Sequence, residues 1–107
     1  MEPAPTRVAG TPLEWLQRMI SGELPPAPVA RLLGFRLVEA TPERTVTEMQ
    51  TDERHTNPMG TVHGGILCDL ADAAMGLCFF SGLGAGESFT TLELKINYLR
   101  PVWNTRL

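Results

Sequence analysis

Asn57-Pro58-Met59-Gly60-Thr61-Val62-His63-Gly64-Gly65-Ile66-Leu67-Cys68-Asp69-Leu70-Ala71-Asp72 decides how this chain reads, because a polar, glycine-rich turn runs directly into an apolar segment that carries carboxylates. From about His63 to near Ser81, Ile66, Leu67, Leu70, Ala71, Ala73, Ala74, Met75, Leu77, Cys78, Phe79 and Phe80 fill nearly the whole circumference of a helix. A helix that is apolar all round is expected to be buried. Asp69 and Asp72 are its only charges. A carboxylate inside a core costs several kcal/mol unless it is paired, hydrogen-bonded or neutralised, so one of the two needs a reason to be there.

Helical geometry sets His63 and Asp72 apart. They are nine positions from each other, which at 100° and about 1.5 Å per residue places them on opposite faces and roughly 13 Å apart along the axis. No dyad forms between them within one chain. If both serve one site, a second copy must bring its own helix alongside. Gly64, at the helix start, offers a backbone N–H with no intrahelical partner at the positive end of the macrodipole. Such a donor can stabilise an oxyanion, and Gly65 would let substrate approach closely. The competing reading is a glycine pair needed only for a tight turn. Asp72 suits a general base or a nucleophile, against the plainer role of bonding a neighbouring backbone group.

Outward from this stretch, the first ten residues are Pro- and Ala-rich and expected to be disordered. Thr11-Pro12-Leu13-Glu14 has the form of a capping box with proline at the first helical position, predicting a short amphipathic helix to about Ser21 that stops at Gly22. It is expected to cover the main domain's edge or a partner subunit. A linker, Pro25-Pro26-Ala27-Pro28, and a helical turn around Val29 to Leu33 follow. Phe35 to Ala40 and Thr45 to Thr51 read as two strands of a hairpin through Thr41-Pro42-Glu43-Arg44. Leu92, Leu94, Ile96 and Tyr98 alternate with Thr91, Glu93, Lys95 and Asn97, the clearest half-buried strand in the sequence. Ser81-Gly82-Leu83-Gly84-Ala85-Gly86 follows a helix rather than linking strand to helix, so it reads as a C-cap and connection, not a phosphate loop. One apolar helix with several antiparallel strands implies an α+β fold, a sheet wrapped around a central helix.

Composition sets the outer limits. A chain of 107 residues, 43% hydrophobic and 20% charged, is one globular domain at most. A net charge of −3 argues against nucleic acid as a partner and leaves any anionic ligand to local cations. The apolar runs look too interrupted for a membrane span, and Met1-Glu2-Pro3-Ala4 has no signal-peptide character, so a cytoplasmic location without membrane partners is expected. Cys68 and Cys78 lie ten residues apart on one predicted helix, too far for a disulfide. His55 and His63 form no metal-ligand pattern, so no metal is expected.

Asn57, then His63-Gly64-Gly65 six positions on, then Asp72, with Thr90-Thr91-Leu92-Glu93-Leu94-Lys95-Ile96-Asn97-Tyr98-Leu99-Arg100-Pro101 after the helix, together resemble the hot-dog-fold acyl-CoA thioesterases of the phenylacetate-degradation type. The resemblance reaches back through Pro25 to Phe35 and covers residues 25–107, leaving 1–24 as a tail with its short helix. The related 4-hydroxybenzoyl-CoA thioesterases place Glu where this chain has Asp72. The resemblance implies hydrolysis of an acyl-CoA thioester without cofactor, in a homodimer or dimer of dimers with active sites shared between subunits. It implies catalytic roles for Asp72, Gly64 and Asn57, the last orienting water or carbonyl, unless it only shapes the turn. His63 either positions the turn or contacts the thioester carbonyl. Thr90 or Thr91 aligns with a hydroxyl that assists the acidic residue, and the choice stays open. Gly65, Lys95 and Arg100 fall on the substrate side, the two cations as candidates for the coenzyme A phosphates, though exposed charges on a strand are usually just solvated. Relatives of this type continue for several more strands, so the chain reads as C-terminally incomplete. An enoyl-CoA hydratase on the same fold and a non-catalytic acyl-CoA-binding or assembly module are the alternatives.

Overall fold

The central hairpin forms where alternation and turn chemistry placed it. In a computed structural model that describes residues 10–107, strand β1 (Phe35–Thr41) pairs antiparallel with β2 (Arg44–Met49), in a register from Phe35 opposite Met49 to Thr41 opposite Arg44. Pro42 presets the turn's backbone angle. The Thr41 hydroxyl accepts the N–H groups of Glu43 and Arg44 at 3.3 and 3.1 Å. The register shifts between Leu37 and Glu39, and the extra residue bends the strand. Residues 1–9, within the stretch expected to be disordered, lie outside the described residues.

Three helices surround the hairpin: α1 (Pro12–Ser21), α2 (Pro28–Leu33) and α3 (Gly64–Ser81). α1 starts as predicted, with the Thr11 side chain accepting from the Glu14 N–H at 3.2 Å, and ends at Gly22. Its Leu16 is fully buried beside Ala40 and Phe80, so α1 covers β1 and α3. A second cluster joins Ala30, Phe35 and Met49 to Ile66, Leu70 and Ala73. Ile66, Leu70, Ala73, Leu77 and Phe80 thus form the single stripe of α3 that faces the hairpin and α1, at the i, i+4, i+7 spacing of one helix face. Thr45 and Ser81 hydroxyls tether helix to hairpin through the Ala74 and Thr41 carbonyls at 2.8 and 2.9 Å.

Three expectations need correction. Helix α3 is not buried all round: within it only Phe80 and Ser81 are buried, and Met75 and Phe79 are more than half exposed. Its apolar back has no described element to cover it. Residues 88–99 join no strand among the described residues, and Leu92 and Leu99 are more than 90% exposed. Alternation marks which side chains share a face, but a strand needs a neighbour to pair with. Finally, α3 has 18 residues with a mean hydropathy of 1.4, long and apolar enough by composition to cross a membrane. Asp69 and Asp72 at its middle, each costing about 2.5–3.5 kcal/mol at a bilayer centre, and its packing on the hairpin favour the core helix of a globular fold. Beyond residue 99 the chain returns to β2, where Met49 and Leu107 exchange backbone hydrogen bonds at 2.8 and 3.0 Å.

Candidate active site

The turn before α3 is held by its own polar groups. Asn57 Oδ1 accepts from the N–H groups of Met59 and Thr61 at 3.0 and 3.2 Å, and its amide donates to the Thr61 hydroxyl at 2.6 Å. Gly60, at φ +87°, takes a conformation that a side chain would strain. Asn57 therefore shapes the turn, while lining an open cavity of about 340 Å³ with Gly64, Leu67, Tyr98 and Arg100.

His63 is the N-cap of α3. Its Nδ1 accepts from the Gly65 N–H at 3.0 Å, which puts the ring proton on Nε2. Its own backbone N–H donates to the His55 carbonyl at 2.8 Å. Gly65 is thereby capped, whereas among the described residues nothing accepts the Gly64 N–H. Gly64 is the candidate oxyanion donor. The sequence reading missed Tyr98, whose hydroxyl donates to the Gly64 carbonyl at 2.7 Å and lies 3.5 Å from Cys68 Sγ. That thiol contact, with a smaller contribution from burial, holds the Tyr98 phenol above its usual pKa and keeps it a donor. A Cβ on Gly64 would come within 2.9 Å of the Tyr98 ring, so a side chain here would have to push the ring aside. Alternation had cast Tyr98 as a core residue. The available signal was its polar tip, which a half-buried tyrosine usually satisfies.

His55 was also missed. It is 4% exposed, with Nδ1 accepting from the Asp52 N–H at 3.0 Å and Nε2 donating to the Leu33 carbonyl at 2.7 Å. It pins the loop before the turn to the end of α2. Next to it, Arg54 holds the Asp52 carboxyl down at about 2 through side-chain and backbone hydrogen bonds.

Two turns into α3 the chemistry changes. Asp72, partly buried, accepts the Thr91 hydroxyl on Oδ1 at 2.8 Å, which decides between the two threonines. Thr90 is exposed, as are Lys95 and Asp69. Asp72 and Thr91 line a second, mostly apolar cavity of about 190 Å³ with Ala73, Gly76 and Phe89 of their own neighbourhood and residues from β1, α1 and α2. Gly64 and Asp72 are eight residues apart on α3, about 12 Å along its axis. One chain thus places the Gly64 backbone in one cavity and the Asp72 carboxylate in another. The described residues hold no cluster of three or more metal-ligating side chains.

The family model for the thioesterase superfamily matches residues 59–103, the span that contains Gly64, Asp72, Thr91 and Tyr98. Over that span the chain is similar to this superfamily. Among its relatives, acyl-coenzyme A thioesterase 13 of mouse is 34% identical over 65 residues, covering 61% of this chain and 46% of that protein. The superfamily's fold is also met in solved structures. A phenylacetic acid degradation-related protein from Ralstonia eutropha JMP134 superposes with a TM-score of 0.76 at 28% identity, covering 85% of this chain and 70% of that one. The PaaI protein from the E. coli phenylacetic acid degradation operon does so with a TM-score of 0.61 at 27% identity, covering 83% and 62%. These neighbours carry the hot-dog fold expected from the sequence and agree with the phenylacetate-type resemblance. The chain spans about half the length of the curated relatives it matches.

Proposed function

We propose that the protein hydrolyses an acyl-CoA thioester to the free acid and coenzyme A, at a site that two copies of the chain build together. The observation that carries this reading is the separation of Gly64 and Asp72 into two cavities on one helix. Two such helices packed antiparallel bring the Gly64 end of one against the Asp72 of the other. The uncovered Phe79 and Met75 of α3 and the segment of residues 90–99, which joins no strand among the described residues, supply apolar surface and backbone groups for that contact.

The thioester carbonyl then accepts the Gly64 N–H. Thr91 occupies Asp72 Oδ1, leaving Oδ2 to take a proton from water as the water oxygen bonds to the carbonyl carbon. The negative charge gathers on the carbonyl oxygen, where a preorganised N–H in a dry site matters most. As the C–S bond breaks, the carbonyl reforms and the thiolate takes the proton back from Asp72. Asn57 and His63 act through the turn that aims Gly64. Arg100, on the Gly64 cavity, with Lys95 on the same segment, meets the phosphates of coenzyme A. The two free thiols, Cys68 and Cys78, fit a reducing compartment and hence the cytoplasm.

Subunit exchange tests the shared site. A chain with Asp72→Asn and a chain with Asn57→Ala plus His63→Ala are each nearly inactive as homodimers. Mixed dimers hold one site with both lesions and one with none, so exchange restores thiol release towards one working site per dimer. Mixed dimers verified by mass spectrometry and still inactive would refute the shared site.

A further inference from the structure

The apolar cavity beside Asp72 has a definite back wall. Phe89 stands two residues before Thr91 in an extended segment, so both side chains point to the same side, toward α3. Thr91 meets Asp72, and Phe89 meets the helix one turn further on, at Gly76. A Cβ there would lie 3.0 Å from the Phe89 Cζ, so the ring rests on bare helix backbone. The ring packs edge-on with Phe79 at 5.6 Å and tilted against Phe80 at 6.1 Å. Phe89 is thus a supported plate about 6 Å past the carboxylate along the helix axis. Met19 of α1, Val29 of α2 and Leu37 of β1 line the other sides. Besides Asp72 the lining contains one charged residue, Arg36, which donates to Glu48 from Nε at 2.7 Å and is already paired.

Resting on the thioesterase reading above, we propose that this cavity is the acyl chamber and that Phe89 over Gly76 sets its depth. At about 30 Å³ for each water-sized group, a volume near 190 Å³ holds about six carbon-sized groups. The substrate class is therefore a compact, uncharged acyl group, a phenyl ring or a chain of about that size, and not a long fatty acyl chain. A second charged group on the acyl portion finds no free partner in the lining.

Two measurements on the full-length protein test this and separate its failure from that of the hydrolytic reading. The first is kcat/KM for phenylacetyl-CoA and for straight-chain acyl-CoA esters from butyryl to palmitoyl. It should rise about fourfold per added methylene, the value of burying one CH₂, to about six carbons and fall beyond. Phe89→Ala should move the optimum two to four carbons longer. Phe89→Leu, which keeps more of the packing on Phe79 and Phe80, should move it less while retaining the wild-type melt. The second is the affinity of two non-hydrolysable thioethers, hexyl-CoA and dodecyl-CoA, by calorimetry. Wild-type protein should favour the hexyl compound and Phe89→Ala should reverse the order. Hydrolysis with a chain-length profile that neither variant shifts would overturn the chamber and leave the hydrolase standing. Length-selective thioether binding that Phe89→Ala reverses, with no thioester cleaved, would support the chamber and overturn the hydrolase.

Discussion

The start of α3 and its middle are built on opposite plans. At the start, Asn57, His63 and Tyr98 are each committed to backbone or turn partners, and the result is one uncommitted N–H, that of Gly64. Two turns on, a single hydroxyl meets Asp72 amid apolar surroundings. The first region is rigid and polar and can only bind developing charge. The second leaves one carboxylate oxygen without a hydrogen-bond partner among the described residues, beside an apolar cavity. Neither region completes an ester-cleaving site alone, and the 18-residue helix that joins them also keeps them apart. Their difference is what supports the shared site proposed above, in which the unit of function would be a pair of helices.

The largest expected effect contrasts Asp72 with its neighbour one turn earlier. Asp72→Asn should lower kcat/KM by roughly 10²–10⁴, the usual reach of a positioned acid or base. Asp69, exposed and outside both cavities, should tolerate the same change within about twofold, since surface changes away from such features have small effects. Equal losses in steady-state thiol release would remove the distinction between the two carboxylates.

A smaller loss is expected at the start of the helix. Gly64→Ala keeps the N–H but drives a methyl into Tyr98. Turnover should fall by on the order of 10², as for a misplaced oxyanion donor. Tyr98→Ala removes the obstacle, so adding Gly64→Ala to that background should cost less than tenfold, a non-additivity expected of contacting residues. Additive losses would mean that the ring and the amide act separately.

Much of this was legible from spacing. The turn chemistry of Thr41-Pro42-Glu43-Arg44, the cap at Thr11 and the extent of α3 depend on neighbours within four residues, and each appears where it was read. The fold class followed, because a hairpin and an apolar helix have few ways to cover each other. What was not legible depends on contacts far along the chain. Tyr98 meets Gly64 across 34 positions and Thr91 meets Asp72 across 19. The first was unforeseen, and the second could be narrowed only to a pair of threonines. The strand expected from Thr91 to Tyr98 is absent for a related reason: alternation encodes a face, while pairing is a property of whatever lies alongside. The all-round apolar helix misled in the same way, since burial is set by the covering elements and not by the helix.

Thr91 provides the third test. Thr91→Val removes the donor to Asp72 Oδ1 and should lower kcat roughly tenfold with little change in KM, as for a modest hydrogen bond to a charged group. Thr90→Val, outside both cavities and not bonded to Asp72, should stay within about twofold. The reverse order would show that the second cavity reorganises when two chains meet.

The smallest effect is expected at His63, where the two plans can be told apart most finely. Nδ1 caps the Gly65 N–H, so His63→Ala leaves that donor without a partner and should cost about 1 kcal/mol of stability. In a domain of this size that is roughly 4–8 °C in Tm. Asparagine is among the best N-cap residues, so His63→Asn should restore the melt. The informative quantity is then the turnover of His63→Asn. If the histidine acts only by fixing the turn that aims Gly64, a restored cap restores activity to within about threefold, below the loss expected for Thr91→Val. If its Nε2–H also donates to the thioester carbonyl, asparagine holds the helix yet places no donor at that distance. Turnover would then fall at least tenfold with the melt unchanged. We expect the first outcome, because Asn57 and Tyr98, the other side chains that shape this end of α3, both bond to its backbone or that of the turn before it. The second would make the start of the helix a site of two donors, as chemically active as the middle.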